Sequence, residues 1–267
     1  MPIKVSKHVE LSSYDDYHSL DYKIMAIVFF IHKELGRFWN EKVYQNELAY
    51  RCQKAGFGNV ATEVEIDVSY KDFCKFYYID LLVNNIIYEL KTAQALCREH
   101  EKQTINYLML TGLNHAKLIN FRSTSVQYRF ISTKITPTKR YNFTFIDEQW
   151  RDIDEDSVWL KETVKNLVNE WGMFLEVALF YEAIACFCGG EEKVLKKISV
   201  RDGSRVLGKQ KVYLLSPDVA FKITSLTKDK NNYEIQLKHF LRYTFLEAIH
   251  WINFNHDKVI FKTILKQ

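Results

Sequence analysis

Two acidic residues and a lysine interrupt an otherwise apolar stretch, YIDLLVNNIIYELK, at positions 78–91. Asn84 and Asn85 lie between two short apolar runs, and this pattern is typical of a β-hairpin with a two-residue turn. Counting outward from that turn places Asp80 directly opposite Glu89. Carboxylates at facing positions have Cβ atoms about 5 Å apart and repel each other. A strand pair filled with Leu, Ile and Val therefore carries a pair of charges that needs an explanation.

A divalent cation held between Asp80 and Glu89 would explain the pair. Mg²⁺ prefers hard oxygen ligands and commonly takes one or two protein carboxylates, with water and phosphate completing its shell. Lys91 lies two residues beyond Glu89, so its side chain emerges on the same face about 6–7 Å along the strand. Such a set suits metal-assisted attack of water on a phosphodiester. An ion pair between Lys91 and one carboxylate at the surface is the other interpretation open here.

The next predicted helix, at about 98–112, carries two further polar candidates. Gln103 and Tyr107 are four residues apart, so both side chains face the same way. An amide and a phenol suit the orientation of a phosphate, sugar or base near the metal. Core packing of Tyr107 is the alternative.

The chain resembles itself when it is shifted by 133 residues. HEKQTINYLMLTGLNHAKLINF (100–121) then lies over YEIQLKHFLRYTFLEAIHWINF (233–254), and 80–91 lies over 213–224 without a gap. With a slightly different offset, 36–44 resembles 172–180. We therefore predict a tandem duplication of one α/β unit, with a first domain at 1–140 and a second at 141–267.

Each unit is predicted to form a mixed sheet flanked by helices. In the first unit the patterns predict helices at about 19–35 and 38–55 and a strand at 62–70 with Glu63 facing outward, followed by the hairpin, the helix at 98–112 and two strands. The segment 134–157, with Pro137 and an acidic run, is predicted to link the units.

The second unit does not keep the acid pair. At the positions matched by the 133-residue shift, Asp80, Glu89 and Lys91 are replaced by Tyr213, Lys222 and Thr224. The scaffold therefore does not require facing carboxylates, and this favours a functional role for them in the first unit.

Composition limits the class of protein only broadly. Hydrophobic residues make up 47% and charged residues 26%, which suits a well-packed protein, and the formal net charge is +4. The excess positive charge lies in residues 1–140, with 19 Lys and Arg against 15 Asp and Glu. The five cysteines lack paired metal-ligand spacing. No signal peptide or membrane span is recognised, so a cytoplasmic location and no membrane partner are expected.

Together the segments IDLLV, ELK, HEKQTINYL and LINF resemble the GxxExxY family within the PD-(D/E)xK nuclease-like superfamily. The resemblance covers about 20–132. It implies a restriction-endonuclease-like αβββαβ core, with Mg²⁺ or Mn²⁺ held by Asp80 and Glu89 and with Lys91 placing the attacking water.

The name-giving motif adds two residues by resemblance. Glu41 matches the helical Glu of the family and would be a third catalytic acid and metal ligand. Tyr44 matches the Tyr of the motif and is implied to contact substrate. Phe38 stands where the motif has Gly, so the local pattern departs from the family here.

The leading hypothesis is a Mg²⁺-dependent nuclease with one active site, in the first unit. DNA is favoured because Gln103-x-x-x-Tyr107 resembles the helix motif of exonuclease-type members, although RNA remains open. The second unit retains Glu176 and Gln236 and resembles a degenerate copy. A non-catalytic module that binds nucleic acid or protein is the main alternative. Acid–base chemistry without metal is weaker, since no positioned histidine or oxyanion loop accompanies the acids.

Overall fold

Helix α1 (Tyr14–Leu35) shows how the first unit builds its core. Its apolar residues Ile24, Val28 and Ile31 recur at helical spacing and are fully buried. The helix begins after Ser13, whose side chain accepts a hydrogen bond from the Asp16 amide. It ends at Gly36, where φ is +73°, a conformation that glycine adopts without steric cost. The chain then turns directly into a second helix.

The computed structural model describes residues 2–266, and these divide into two units. The first comprises the residues up to Ser69 together with Cys74–Pro137, and the second comprises Tyr70–Phe73 and the residues from Thr138 onward.

Within residues 2–266, the first unit contains three helices and a six-stranded sheet with one parallel pair of strands. The helices are α1 (Tyr14–Leu35), α2 (Glu41–Lys54) and α3 (Arg98–Thr111). The strands, in spatial order, are β1 (Ile3–Val5), β2 (Val60–Tyr70), β3 (Phe73–Val83), β4 (Ile86–Lys91), β5 (His115–Asn120) and β6 (Gln127–Ser132).

The short helix α4 (Pro137–Arg140) lies where the chain passes from the first unit into the second. The second unit also forms a six-stranded mixed sheet, in the order β7-β12-β11-β10-β9-β8. Its strands are β7 (Thr144–Gln149), β8 (Leu195–Asp202), β9 (Arg205–Ser216), β10 (Val219–Thr224), β11 (Ala248–Asn255) and β12 (Lys258–Leu265). Its other helices are α5 (Glu155–Trp171), α6 (Val177–Phe187), α7 (Glu191–Val194) and α8 (Lys230–Arg242).

The predicted fold class is confirmed, because the two units repeat one α/β arrangement. In each, two long helices (α1 and α2, or α5 and α6) precede a three-stranded antiparallel run, a crossover helix leads to a parallel strand, and an antiparallel strand follows. The short α7 is added before the run in the second unit. The prediction that residues 134–157 only link the units is partly wrong. This segment contains β7, which pairs parallel with β12. That pairing joins residues more than a hundred positions apart, so no local pattern reveals it.

The hairpin register follows the prediction in the first unit. Asn84 and Asn85 have φ values of 45° and 67°, as a two-residue type I′ turn requires. Val83 pairs with Ile86, and the ladder continues through Leu81 and Tyr88. The second unit turns through Pro217 and Asp218, but a bulge after Val219 shifts the register there.

An asparagine at the end of the parallel strand makes the same contacts in both units. Asn120 accepts a hydrogen bond from the Ala93 amide at 3.0 Å and donates to the Ala93 carbonyl at 2.8 Å. Asn253 does the same to Leu226, at 2.8 and 2.9 Å. Both pairs are related by the 133-residue shift, so the duplication extends to a side chain that fixes the loop after the preceding strand.

A second matched position carries different chemistry in the two units. In the first unit, Lys117 and Asp21 form a buried ion pair at 2.6 Å between β5 and α1. The matched residues of the second unit are His250 and Ser157, which hydrogen-bond at 2.8 Å. Both units therefore keep a polar contact between helix and strand, but this contact is an ion pair in the first unit and a hydrogen bond in the second.

Removal of the Asn253 side chain should destabilise the second unit. Asn253→Ala leaves the Leu226 amide and carbonyl without their partner, and an unsatisfied buried polar group costs about 1–3 kcal/mol. Urea unfolding followed by tryptophan fluorescence measures the loss. Asn255→Ala is the matched control, because the Asn255 Oδ1 atom is buried without a hydrogen-bond partner. We call the paired hydrogen bonds between Asn253 and Leu226, and between Asn120 and Ala93, the asparagine clamp. An equal loss of unfolding free energy in both variants would contradict its role in stability.

Stability of the second unit should fall as the pH drops below 6.5. Burial lowers the pKa of His250 from 6.5 to about 4, despite the attraction of Asp154 and Asp152. The unfolded chain therefore binds a proton that the folded chain excludes, and the folding free energy weakens from pH 6.5 downward by roughly 3 kcal/mol at pH 4. His250→Gln should show a correspondingly shallower pH dependence in the same urea assay. If the unfolding free energy of His250→Gln depended on pH as steeply as that of wild type, His250 would not be the group responsible.

Candidate active site

The ammonium of Lys91 is the point where three acidic side chains meet. Its Nζ atom lies 2.6 Å from Glu89 Oε1, 3.8 Å from Glu41 Oε1 and 3.9 Å from Asp80 Oδ2. The side chains of Asp80 and Glu89 therefore face the same region, as the hairpin count predicts. Glu41 arrives from α2, so an element some forty residues away in sequence completes the group.

Asp80 is fixed by the backbone of the neighbouring strand. Its Oδ2 atom accepts a hydrogen bond from the Leu90 amide at 2.7 Å. Glu89 is almost completely buried, and its Oε2 atom has no hydrogen-bond partner. One carboxylate is thus held in place while the other carries an unsatisfied oxygen.

Burial dominates the electrostatics of the three acids. It raises the pKa of Glu89 to about 8, and the neighbouring charge of Asp80 adds to the shift against the attraction of Lys91. Burial also raises the pKa values of Asp80 and Glu41, again opposed by Lys91. For Lys91, burial works against the charged form, but the attraction of Glu89 and its neighbours prevails and the pKa is raised.

Glu41 owes its position to the start of α2. Asn40 caps this helix by accepting a hydrogen bond from the Val43 amide at 3.1 Å. Glu41 is the first residue of the helix, where an acidic side chain is favoured by the helix dipole. The Thr92 backbone stabilises its charged form.

Two residues of this region were not among the predicted site residues. Gln45, buried on α2, donates through Nε2 to Glu63 Oε1 at 2.9 Å and to the backbone carbonyl of Asp80. Glu63 also pairs with Lys42 at 2.7 Å, and these contacts lower its pKa. Gln45 follows Glu41 by four positions, so a helical count from Glu41 could have found it. Glu63 has φ of +50° within β2, which strand alternation does not reveal.

The structure brings Gln103 and Tyr107 together on α3. The Gln103 amide donates to the Tyr107 hydroxyl at 2.9 Å, so the two side chains share a face as predicted. Gln103 is half-buried and Tyr107 is buried. Their contact with a substrate stays a prediction.

Tyr44 requires a correction. Its ring is fully buried and stacks on Phe121 with the ring centroids 4.3 Å apart. Its hydroxyl donates to the Gly36 carbonyl at 2.8 Å and accepts from the Trp39 amide at 3.4 Å. Tyr44 therefore holds the loop between α1 and α2 in place, and we assign it no contact with substrate.

The donor set fits a cation held by two carboxylates. Lys91 offsets one of the three negative charges that Glu41, Asp80 and Glu89 carry when ionised, and Glu89 Oε2 is buried without a partner. An added cation would satisfy that oxygen. Within residues 2–266, no group of three or more acidic, histidine or cysteine side chains is arranged to hold a metal. Mg²⁺ accepts one or two protein carboxylates when water supplies most of its other ligands.

The second unit lacks this group of charges. Tyr213 and Lys222 stand at the positions of Asp80 and Glu89. The prediction that the second unit retains the helical acid is wrong, because Glu176 is the N-cap of α6 and matches Asn40. Val177 takes the place of Glu41.

Comparison with known proteins places the first unit in a class. Residues 18–131 match the family model described as the PD-(D/E)XK nuclease superfamily, and this range contains all the residues gathered around Lys91. Over these residues the first unit is therefore similar to the PD-(D/E)XK nuclease superfamily, whose members typically use divalent metals and act on nucleic acid. The narrower likeness to the GxxExxY family is not confirmed. Searches among curated proteins and among solved structures found no match.

The part of the chain that the structure describes has no helix both long and apolar enough to cross a membrane. The cytoplasmic location stays a prediction.

Two substitutions at Asp80 should distinguish the effect of its charge on stability from the effect of its hydrogen bond to the Leu90 amide. The raised pKa of Asp80 means that the fold favours the neutral side chain, so Asp80→Asn should unfold at the same or a higher urea concentration. Asp80→Ala leaves the buried Leu90 amide unsatisfied and should cost about 1–3 kcal/mol. Urea unfolding at neutral pH measures both. If Asn were as destabilising as Ala, the charge of Asp80 would be stabilising the fold.

Proposed function

We propose that the protein is a Mg²⁺- or Mn²⁺-dependent nuclease that hydrolyses phosphodiester bonds in nucleic acid, with one active site in the first unit. The observation that supports this most directly is the unsatisfied Oε2 atom of Glu89 beside Asp80 and Lys91. A folded chain tolerates such an oxygen more readily if a ligand supplies the missing contact.

Asp80 and Glu89 would hold the cation, with Glu41 as a third acid at the site. When bound, the metal would lower the pKa of a water molecule and offset the charge that develops on the phosphate. Lys91 would orient the attacking water, since its ammonium already lies within 4 Å of all three acids. Gln103 and Tyr107 would orient the substrate, and DNA is the favoured substrate.

The second unit, at about 141–267, would be a degenerate copy of the first domain, at about 1–140. It keeps the asparagine clamp but lacks the acids and Lys91.

A non-catalytic binding module is the second candidate. It is favoured by the ion pairs themselves, because Lys91 already neutralises part of the acidic group without a metal. Under this alternative, Lys91 would contact a phosphate and no cleavage would follow.

Cleavage of labelled single- and double-stranded DNA and RNA, in Mg²⁺ and in Mn²⁺, separates the two candidates. Asp80→Asn and Glu89→Gln should each reduce the rate at least 100-fold, and chelation should abolish cleavage while the circular dichroism stays unchanged. Lys222→Ala is the matched control, because Lys222 occupies the position of Glu89 in the second unit. Activity that survives chelation or Asp80→Asn would refute the metal mechanism, and folded wild type that cuts none of the substrates would favour the binding module.

A further inference from the structure

Two large aromatic side chains lie exposed beside the candidate active site. Phe38 and Trp39 occupy the loop between α1 and α2, with 73% and 53% of their surfaces exposed. The loop leads directly to Glu41, one of the three acids around Lys91. Single exposed aromatic residues are common on protein surfaces, but two adjacent ones next to a charged site indicate a binding surface.

The loop is held in one conformation rather than left free. The Trp39 indole Nε1 donates to the Leu35 carbonyl at 2.9 Å, and the Trp39 amide donates to the Tyr44 hydroxyl. Tyr44 in turn donates to the Gly36 carbonyl. Burial of Tyr44 thus fixes the backbone that presents the two rings, and such preorganisation lowers the entropic cost of binding.

Two guanidinium groups flank the aromatic pair. Arg37 and Arg122 lie 5.1 and 5.5 Å from the centroid of the Phe38 ring. Among the residues that the structure describes, neither has an ion-pair partner. Arg122 follows Phe121, whose amide bonds to the Lys91 carbonyl at 2.9 Å, so this arginine is tied to the strand end that carries the catalytic lysine.

The second unit keeps one of the two rings and neither guanidinium group, since Phe38 corresponds to the half-buried Phe174. Arg37 and Trp39 correspond to Met173 and Leu175, and both of these are buried. Arg122 corresponds to Asn255. The Trp39 ring, the high exposure of Phe38 and both guanidinium groups accompany the acids in the first unit and are absent from the second.

We propose that Phe38 and Trp39 form a stacking platform for an unpaired base of single-stranded nucleic acid, and that Arg37 and Arg122 contact the adjoining phosphates. The inference rests on the proposed function and narrows its substrate to strands with unpaired bases near the cut. Aromatic rings beside guanidinium groups are the combination that binds single strands without sequence preference, because every base has a stacking face. A fully paired duplex hides those faces.

Binding measured without cleavage tests the platform. In the Asp80→Asn background, fluorescence anisotropy of a labelled 12-nucleotide single strand and of a blunt hairpin duplex gives the two affinities. Phe38→Ala should weaken single-strand binding about ten-fold and leave duplex binding unchanged, whereas Phe38→Tyr, which keeps a ring, should restore it. Tyr22→Ala is the matched control, because Tyr22 is 78% exposed on α1 away from this loop.

Trp39 provides a second readout, since it is the only tryptophan before position 150. Addition of the single strand should quench tryptophan emission in the Asp80→Asn protein and not in its Trp39→Phe derivative.

Equal single-strand affinity in the Phe38→Ala protein, an equal loss for the duplex, or no binding of either oligonucleotide would overturn the platform. If wild type fails to cleave while Phe38-dependent binding persists, the nuclease proposal fails and the platform stands. If wild type cleaves and Phe38→Ala binds normally, the platform alone fails.

Discussion

The first unit depends on the placement of one buried ammonium among three carboxylates. Without Lys91, the acids of β3, β4 and α2 would repel one another where water offers little screening. With it, one charge is balanced and the others remain, and the fold holds a residual negative charge close to an unsatisfied oxygen. This set of carboxylates lowers the stability of the fold but could hold a cation. Ionisable groups kept at such a cost to stability are typical of functional sites.

The duplicated chain provides an internal comparison. Both units keep the parallel strand, the crossover helix and the asparagine that fixes the loop after the preceding strand. Only the first unit has the acids, the lysine and the exposed Trp39, while Phe38 is matched by the half-buried Phe174. Elements common to both units are therefore those that the fold requires, and elements confined to the first unit are candidates for function. The replacement of a buried Lys117–Asp21 pair by His250 and Ser157 shows that even buried polar contacts can change chemistry while the architecture is kept.

Tyr44 connects the core of the first unit to its candidate site. Its ring packs on Phe121, and its hydroxyl fixes the loop that carries the exposed aromatic pair. A residue that family resemblance assigns to substrate binding instead positions its neighbours. Motif residues can therefore be retained because they shape the backbone around a site, and burial distinguishes this role from direct contact.

The sequence by itself determined the hairpin, its register and the shared face of Asp80, Glu89 and Lys91. These follow from strand alternation and from a two-asparagine turn, which are local rules. It also determined the duplication, because matched positions repeat at a fixed shift. Glu41 is implied by the family resemblance rather than by periodicity. Only the tertiary structure decided that Gln45 bonds to Glu63 and to the Asp80 carbonyl, that Tyr44 is buried, and that β7 adds a strand to the second sheet. Each of these depends on contacts between residues distant in sequence, and periodicity along the chain carries no information about such contacts.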